Sequence, residues 1–152
     1  MSITVVLPLP PGGLSPNSRP HWGKKARAVK QYRTDAGLAC RAAMNAQGVE
    51  GGWVAASVLP VFYHASRRRR DADNHGAALK AAYDGLVDAG LLVDDEGLVP
   101  LPVRFEIDKA DPRVELLLIP GDWVRQQHEA GKPLHAIEEE LEARDQTKGE
   151  KP

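Results

Sequence analysis

The sequence predicts an α/β (α+β) fold: one mixed β-sheet with helices packed on it, in the order β-α-β-α-β-β, followed by a helical C-terminal tail. Three observations carry this expectation. Apolar and β-branched runs of strand length alternate with stretches whose apolar residues recur every three or four positions. Glycine and proline clusters mark each change of pattern. The chain has 152 residues, 42% of them apolar and 27% charged, which is enough for one well-buried domain and hardly for two.

Ser2 to Leu9 (SITVVLPL) is short, β-branched and closed by Pro8, Pro10 and Pro11, so an edge strand is expected. Pro10 to Pro20, with Asn17-Ser18, has the chemistry of a loop. From Lys24 to Gln47 the pattern turns helical, with Ala26, Val29, Ala36, Ala39, Cys40, Ala43 and Met44 as the apolar stripe. Gly48, Gly51 and Gly52 stop it. Trp53 to Tyr63 (WVAASVLPVFY) reads as a second strand, interrupted or bent at Pro60.

A second helix is expected over His75 to Ala89, with Leu79, Ala82, Tyr83 and Leu86 on one face and Gly90 as its stop. After a turn at Asp94-Asp95-Glu96-Gly97, Leu98 to Ile107 and Arg113 to Ile119 read as two strands of a hairpin across Asp111-Pro112. Gly121-Asp122 introduces a helix from Trp123 to Glu129, and a second acidic helical segment follows Pro133. The polar end, Asp145 to Pro152, is expected to fray. The chain thus divides into a core over 1–120 and an acidic, partly disordered helical tail over 121–152.

No stretch approaches the ~20 consecutive apolar residues of a membrane helix, and no basic start followed by an apolar run marks a signal peptide. Cys40 is the lone cysteine, so an intrachain disulfide framework and a cysteine zinc cluster are excluded. These features suit the cytoplasm. The net charge of −1 conceals an asymmetry. Residues 1–70 carry 11 Lys/Arg against 2 Asp/Glu, and residues 71–152 carry 9 against 19. A basic half of this kind points to a polyanion as partner.

Two acidic clusters bracket the second helix: Asp71 and Asp73 before it, and Asp94, Asp95 and Glu96 after it. Carboxylates this concentrated are tolerated when solvated or when they share a cation. Hard Mg²⁺ or Mn²⁺ takes carboxylate oxygens and keeps several waters, so two or three aspartates suffice. Immediately upstream stand Arg67, Arg68, Arg69 and Arg70, donors shaped for phosphate oxygens. Carboxylates would repel a phosphate unless a divalent metal converted the site to a cationic one and polarised the phosphodiester.

On a continuous helix, Asp73, Ala77, Lys80 and Asp84 fall on one stripe. Lys80 then either stands at the rim of the metal site or pairs with Asp84 four residues on. Arg19, Lys24, Lys25, Arg27, Lys30 and Arg33 form an unbroken positive stretch, a face suited to a DNA backbone and to steeply salt-dependent binding. Trp22, among them, is either a half-buried packing residue or a platform for an unpaired base.

An EF-hand over Asp71 to Gly76 fails, because position twelve is Ala82 and not Glu. His21, His64, His75, His128 and His135 show no metal-ligand spacing, and each is expected at the surface, with His75 a candidate for lining the site.

The runs RRRRDADN (67–74), LKAAYDGL (79–86) and AGLLVDD (89–95), with the early PP…PNSR (10–19), resemble the RusA family of Holliday junction resolvases. Those are small Mg²⁺- or Mn²⁺-dependent endodeoxyribonucleases common in phages and prophages. The resemblance covers residues 3–119. It implies that Asp71, Asp73 and Asp95 hold metal, that Lys80 joins them in catalysis, and that the products carry 5′-phosphate and 3′-hydroxyl ends. It further implies a homodimer matched to the two-fold symmetry of a four-way junction and a phage-type protein of the bacterial cytoplasm; no Gly-rich phosphate loop appears in the sequence, so no nucleotide cofactor is expected. One departure is plain: the family places its lysine four residues after the second aspartate, and here the gap is seven. A catalytically silent junction binder, and a nuclease for flaps or replication forks, remain the alternative expectations.

Overall fold

The computed structural model describes residues 2–14 and 21–148. Strand β1 (Ile3–Leu7) leads through a short 3-10 turn (Gly12–Leu14) to α1 (Trp22–Gln47), and β2 (Ala56–His64) follows. Next come α2 (Ala72–Ala78), α3 (Lys80–Asp88), a 3-10 turn (Asp95–Gly97), β3 (Leu98–Pro100) and β4 (Arg104–Ile107). Strand β5 (Arg113–Pro120) precedes α4 (Trp123–Glu129) and α5 (Leu134–Lys148). The mixed α+β class is as the sequence predicts. The expected loop residues Asn17 and Ser18 lie outside the described residues, as does Arg19. The C-terminal helix runs on to Lys148, through part of the segment expected to fray.

The sheet order is β1-β5-β2, with β3 and β4 both on the far side of β2. Strands β1 and β2 each pair antiparallel with β5, whereas β3 and β4 pair parallel with β2. The expected hairpin is therefore corrected: β4 and β5 do not pair, because β2 lies between them. The near-continuous apolar run of β2 is the physical reason, since a strand covered on both faces and paired on both edges belongs in the centre of the sheet. Asp108–Pro112 steps over the end of β2, where the Asp108 amide donates to the His64 carbonyl at 2.9 Å. Asp108 Oδ1 accepts from the amides of Ala110 and Asp111 to shape the step.

Pro60 does not interrupt β2, which runs unbroken from Ala56 to His64. Val58 accepts from the Leu101 amide on the β3/β4 side, so Pro60, two residues on, turns its missing N–H to the same side. That edge faces the break between β3 and β4, where Pro102 interrupts the strand expected over Leu98 to Ile107.

One face of the sheet (Ile3, Val5, Leu7, Val58, Phe62, Leu116) packs under α1, α2 and α3. Helix α1 turns Tyr32, Ala36, Gly37 and Cys40 inward and ends at Gly48, whose φ of 66° is the left-handed cap glycine adopts freely. Ala26, expected in its apolar stripe, is exposed. Tyr32 Oη donates to the Pro8 carbonyl at 2.8 Å and ties α1 to the end of β1.

The opposite face buries Leu59 against Val124, Ile137 and Leu141 of the last two helices, with Leu117 and Ile119 packed beside them. The acidic tail is thus a third layer, and its apolar residues complete a second core. An ion pair between Arg104 and Glu142 fastens α5 to β4.

The single helix expected over 75–89 is two. Leu79, buried between α2 and α3, donates its amide to Gly76 O in a tighter i→i−3 turn, and the helix restarts at Lys80.

Candidate active site

The end of β2 and the start of α2 build the site. Ala65 to Arg70 carry the chain off the sheet, with Arg67, Arg68 and Arg69 exposed. Arg70 is half-buried and donates to the Ser66 carbonyl at 3.1 Å. Asp71 then caps α2. Its Oδ1 accepts from the amides of Asp73 (3.0 Å) and Asn74 (3.2 Å), and its Oδ2 accepts from Asn74 Nδ2 at 3.0 Å. The Asn of the D-x-D-N run thus aims the first aspartate, a role the sequence reading did not assign. Asp73 stands exposed in the first turn, and its carboxylate has no hydrogen-bond partner among the described residues.

His75 Nδ1 meets the Asp71 carbonyl at 2.7 Å, and its Nε2 lies 3.2 Å from His64 Nε2. Phe62 and Phe105, cross-strand partners on β2 and β4, both meet the His75 ring edge-on at 4.8 and 4.9 Å. Burial, with the charges of Arg70, His75 and Arg68, pushes the His64 imidazole down to about 4. A cavity of about 380 Å³ opens between Pro10–Gly12, the arginines, Asp71, Asn74 and the two histidines. His75 lines the cavity, as the sequence allows, and His64, expected at the surface, lines it as well. The signal for His64 in the sequence was the two-residue alternation that puts Phe62 and His64 on one face of β2.

Lys80 opens α3 and lines a groove of about 340 Å³ with Leu14, Lys25, Val29, Ala77, Ala78, Ala81 and Asp84. The break at Leu79 removes Asp73 from the stripe expected on a continuous helix. Lys25 joins Lys80 at this groove, and Lys24, Arg27 and Lys30 are exposed on α1. Arg33 is instead held by Asp88 of α3 in a two-point contact at 2.6 and 2.8 Å. Trp22 is 79% exposed at the start of α1, which removes the half-buried packing role.

The second acidic cluster lies elsewhere. Gly97 packs against the Val54 backbone just before β2 begins, whereas Asp71 follows its end. Asp95 feels the charges of Asp94 and Asp84. The neighbouring Asp94 and Asp95 carboxyls act on each other, Asp94 being held below and Asp95 above the ordinary carboxylate range. Among the described residues no three His, Cys, Asp or Glu side chains gather closely enough to hold a metal ion, so Asp95 does not complete a ligand set with Asp71 and Asp73. Mg²⁺ commonly takes one or two carboxylates and fills its other positions with water and substrate phosphate. The hard-oxygen pair Asp71 and Asp73 fits that habit.

No helix among the described residues is long and apolar enough to cross a membrane. No family model matches the chain. A protein of Xylella fastidiosa (strain Temecula1 / ATCC 700964), described as "Uncharacterized protein", is 37% identical over 144 residues, spanning 88% of this chain and 85% of its own. The chain belongs to the same family as that protein.

Proposed function

We propose that this chain is a metal-dependent, structure-specific DNA endonuclease of the RusA type, which resolves four-way junctions by paired phosphodiester hydrolysis. The observation that carries the reading is the arrangement at the start of α2: Asp71 fixed by Asn74, Asp73 free in the first turn, and the arginine loop on the same cavity. Asp71 and Asp73 hold Mg²⁺ or Mn²⁺, and water and substrate phosphate take the positions that Asp95, the third ligand the resemblance implies, does not reach. When bound, the ion polarises the phosphodiester and activates water.

The chain's own residues do the rest. Arg70 and its neighbours bind phosphate oxygens. Lys80, on the adjoining groove, is the lysine that the resemblance assigns to offset charge developing in the transition state. Lys24, Lys25, Arg27 and Lys30 of α1 grip the DNA arms. A homodimer would present two such sites to the two strands cut, and a bacterial cytoplasm with a phage or prophage gene is the setting that accompanies this reading.

The second reading is a junction binder that does not cut, and one observation favours it: Asp95 lies with Asp94 and Asp84 and not with Asp71 and Asp73. Incubation with four-way junction, flap and linear duplex, with and without Mg²⁺ or Mn²⁺, separates the two. Metal-dependent cutting supports the endonuclease, and retention of junctions without cutting supports the binder.

A further inference from the structure

We propose that His64 and His75 form a binding site for one divalent transition-metal ion of the zinc class, separate from the aspartates and taken by nitrogen ligands. The two Nε2 atoms are 3.2 Å apart. An ion at about 2.1 Å from each nitrogen would see them at about 100°, between the octahedral and tetrahedral angles. The same separation also suits a hydrogen bond, so the surroundings must decide.

They favour a metal in three ways. The Asp71 carbonyl can only accept, so His75 Nδ1, 2.7 Å away, is the donor there, and Nε2 is the ring nitrogen left to meet His64. A ring N–H donated to a backbone carbonyl is the outer partner that metal-bound histidines commonly use. Burial, with the charges of Arg70 and Arg68, disfavours a charged His64, and a metal ion would take the place of the proton between the two Nε2 atoms. Finally, Phe62 and Phe105 wedge against His75 from two elements and set its plane.

Imidazole nitrogen selects zinc-like ions over magnesium. Arg68 and Arg70 on the same cavity oppose a bare cation and attract an anion, so the open coordination positions fall to water or a phosphate oxygen. The site therefore takes metal and phosphate together.

The test is Zn²⁺ titration of the metal-stripped full chain against a chromophoric chelator, with no DNA present. Wild type is expected to bind a single ion at this site. His64→Gln and His75→Gln should each weaken it by about ten-fold or more, while Asp73→Asn and His128→Gln, an exposed histidine of α4, leave it unchanged. Circular dichroism establishes that each variant is folded. A measurement on the wild type alone follows the imidazole resonances, and Zn²⁺ should shift those of His64 and His75 and not that of His128. Wild-type affinity in both histidine variants, equal weakening by Asp73→Asn, or unshifted His64 and His75 resonances would overturn the proposal. A negative cleavage assay would bear on the endonuclease reading alone.

Discussion

Gly37 of α1 and Gly85 of α3 meet where the two helices cross. A Cβ on Gly85 would stand 2.9 Å from both Ala36 Cβ and Gly37 N and closer still to the Arg33 carbonyl, whereas one on Gly37 would stand 3.3 Å from the Gly85 carbonyl. The helix pair closes backbone to backbone, and α3 is thereby pressed onto the sheet with Lys80 at its start.

Gly85→Ala should therefore destabilise the protein by about 1–3 kcal/mol, the usual cost of forcing atoms into a filled core. Gly37→Ala meets a looser contact and should cost less. Urea unfolding of the two variants checks the order, and an equal or reversed ranking would contradict this packing.

The Arg33–Asp88 contact beside that crossing adds an acid-sensitive tie. The Arg33 guanidinium holds the Asp88 carboxyl below its ordinary range by hydrogen bonds and charge. Over the window between the depressed value and the ordinary one, the unfolded chain binds more protons, so stability rises with pH. The contribution is present above the ordinary carboxylate pKa of about 4 and is lost as pH falls through the depressed value. Arg33→Gln should flatten this acid-side loss in Tm, and melting curves from neutral to acid pH measure it.

The tail should behave as core. Ile137 is wholly buried against Leu59 and its neighbours, so Ile137→Ala should cost about 2–5 kcal/mol. A stability change within error in thermal or urea unfolding would mean that α5 is not seated on the sheet in solution.

Asp71 has a structural duty and a proposed catalytic one, and two substitutions separate them. Asn caps helices about as well as Asp, whereas Ala loses about 1 kcal/mol. Asp71→Asn should keep the fold and junction binding and abolish cutting; Asp71→Ala should lose cutting and some stability as well. Tm and junction cleavage, measured on both, check this pairing. Full cutting by Asp71→Asn would remove Asp71 from the metal site.

The element order and the glycine end of α1 were legible because each rests on local pattern: periodicity, and the glycines that stop it. Sheet neighbours were not. Whether β4 pairs with β5 or with β2 depends on which edge of β2 is free, and no window of residues around Pro112 holds that information. The break at Leu79 was hidden for a related reason, since Ala77 to Ala82 have helical composition on both sides of it. The pairing of Trp53 with Leu92 brings the return chain to the start of β2, whereas Asp71 follows its end. His64 and His75 came together across a loop whose path the spacing did not reveal.

The most direct measurement of the central reading is incubation of the protein with an immobile four-way DNA junction, with and without Mg²⁺ or Mn²⁺, beside linear duplex and flap controls. We expect paired, metal-dependent nicks in the junction and none with Asp71→Asn. Junction binding with no cleavage under either metal would contradict the endonuclease reading and leave a junction-binding protein in its place.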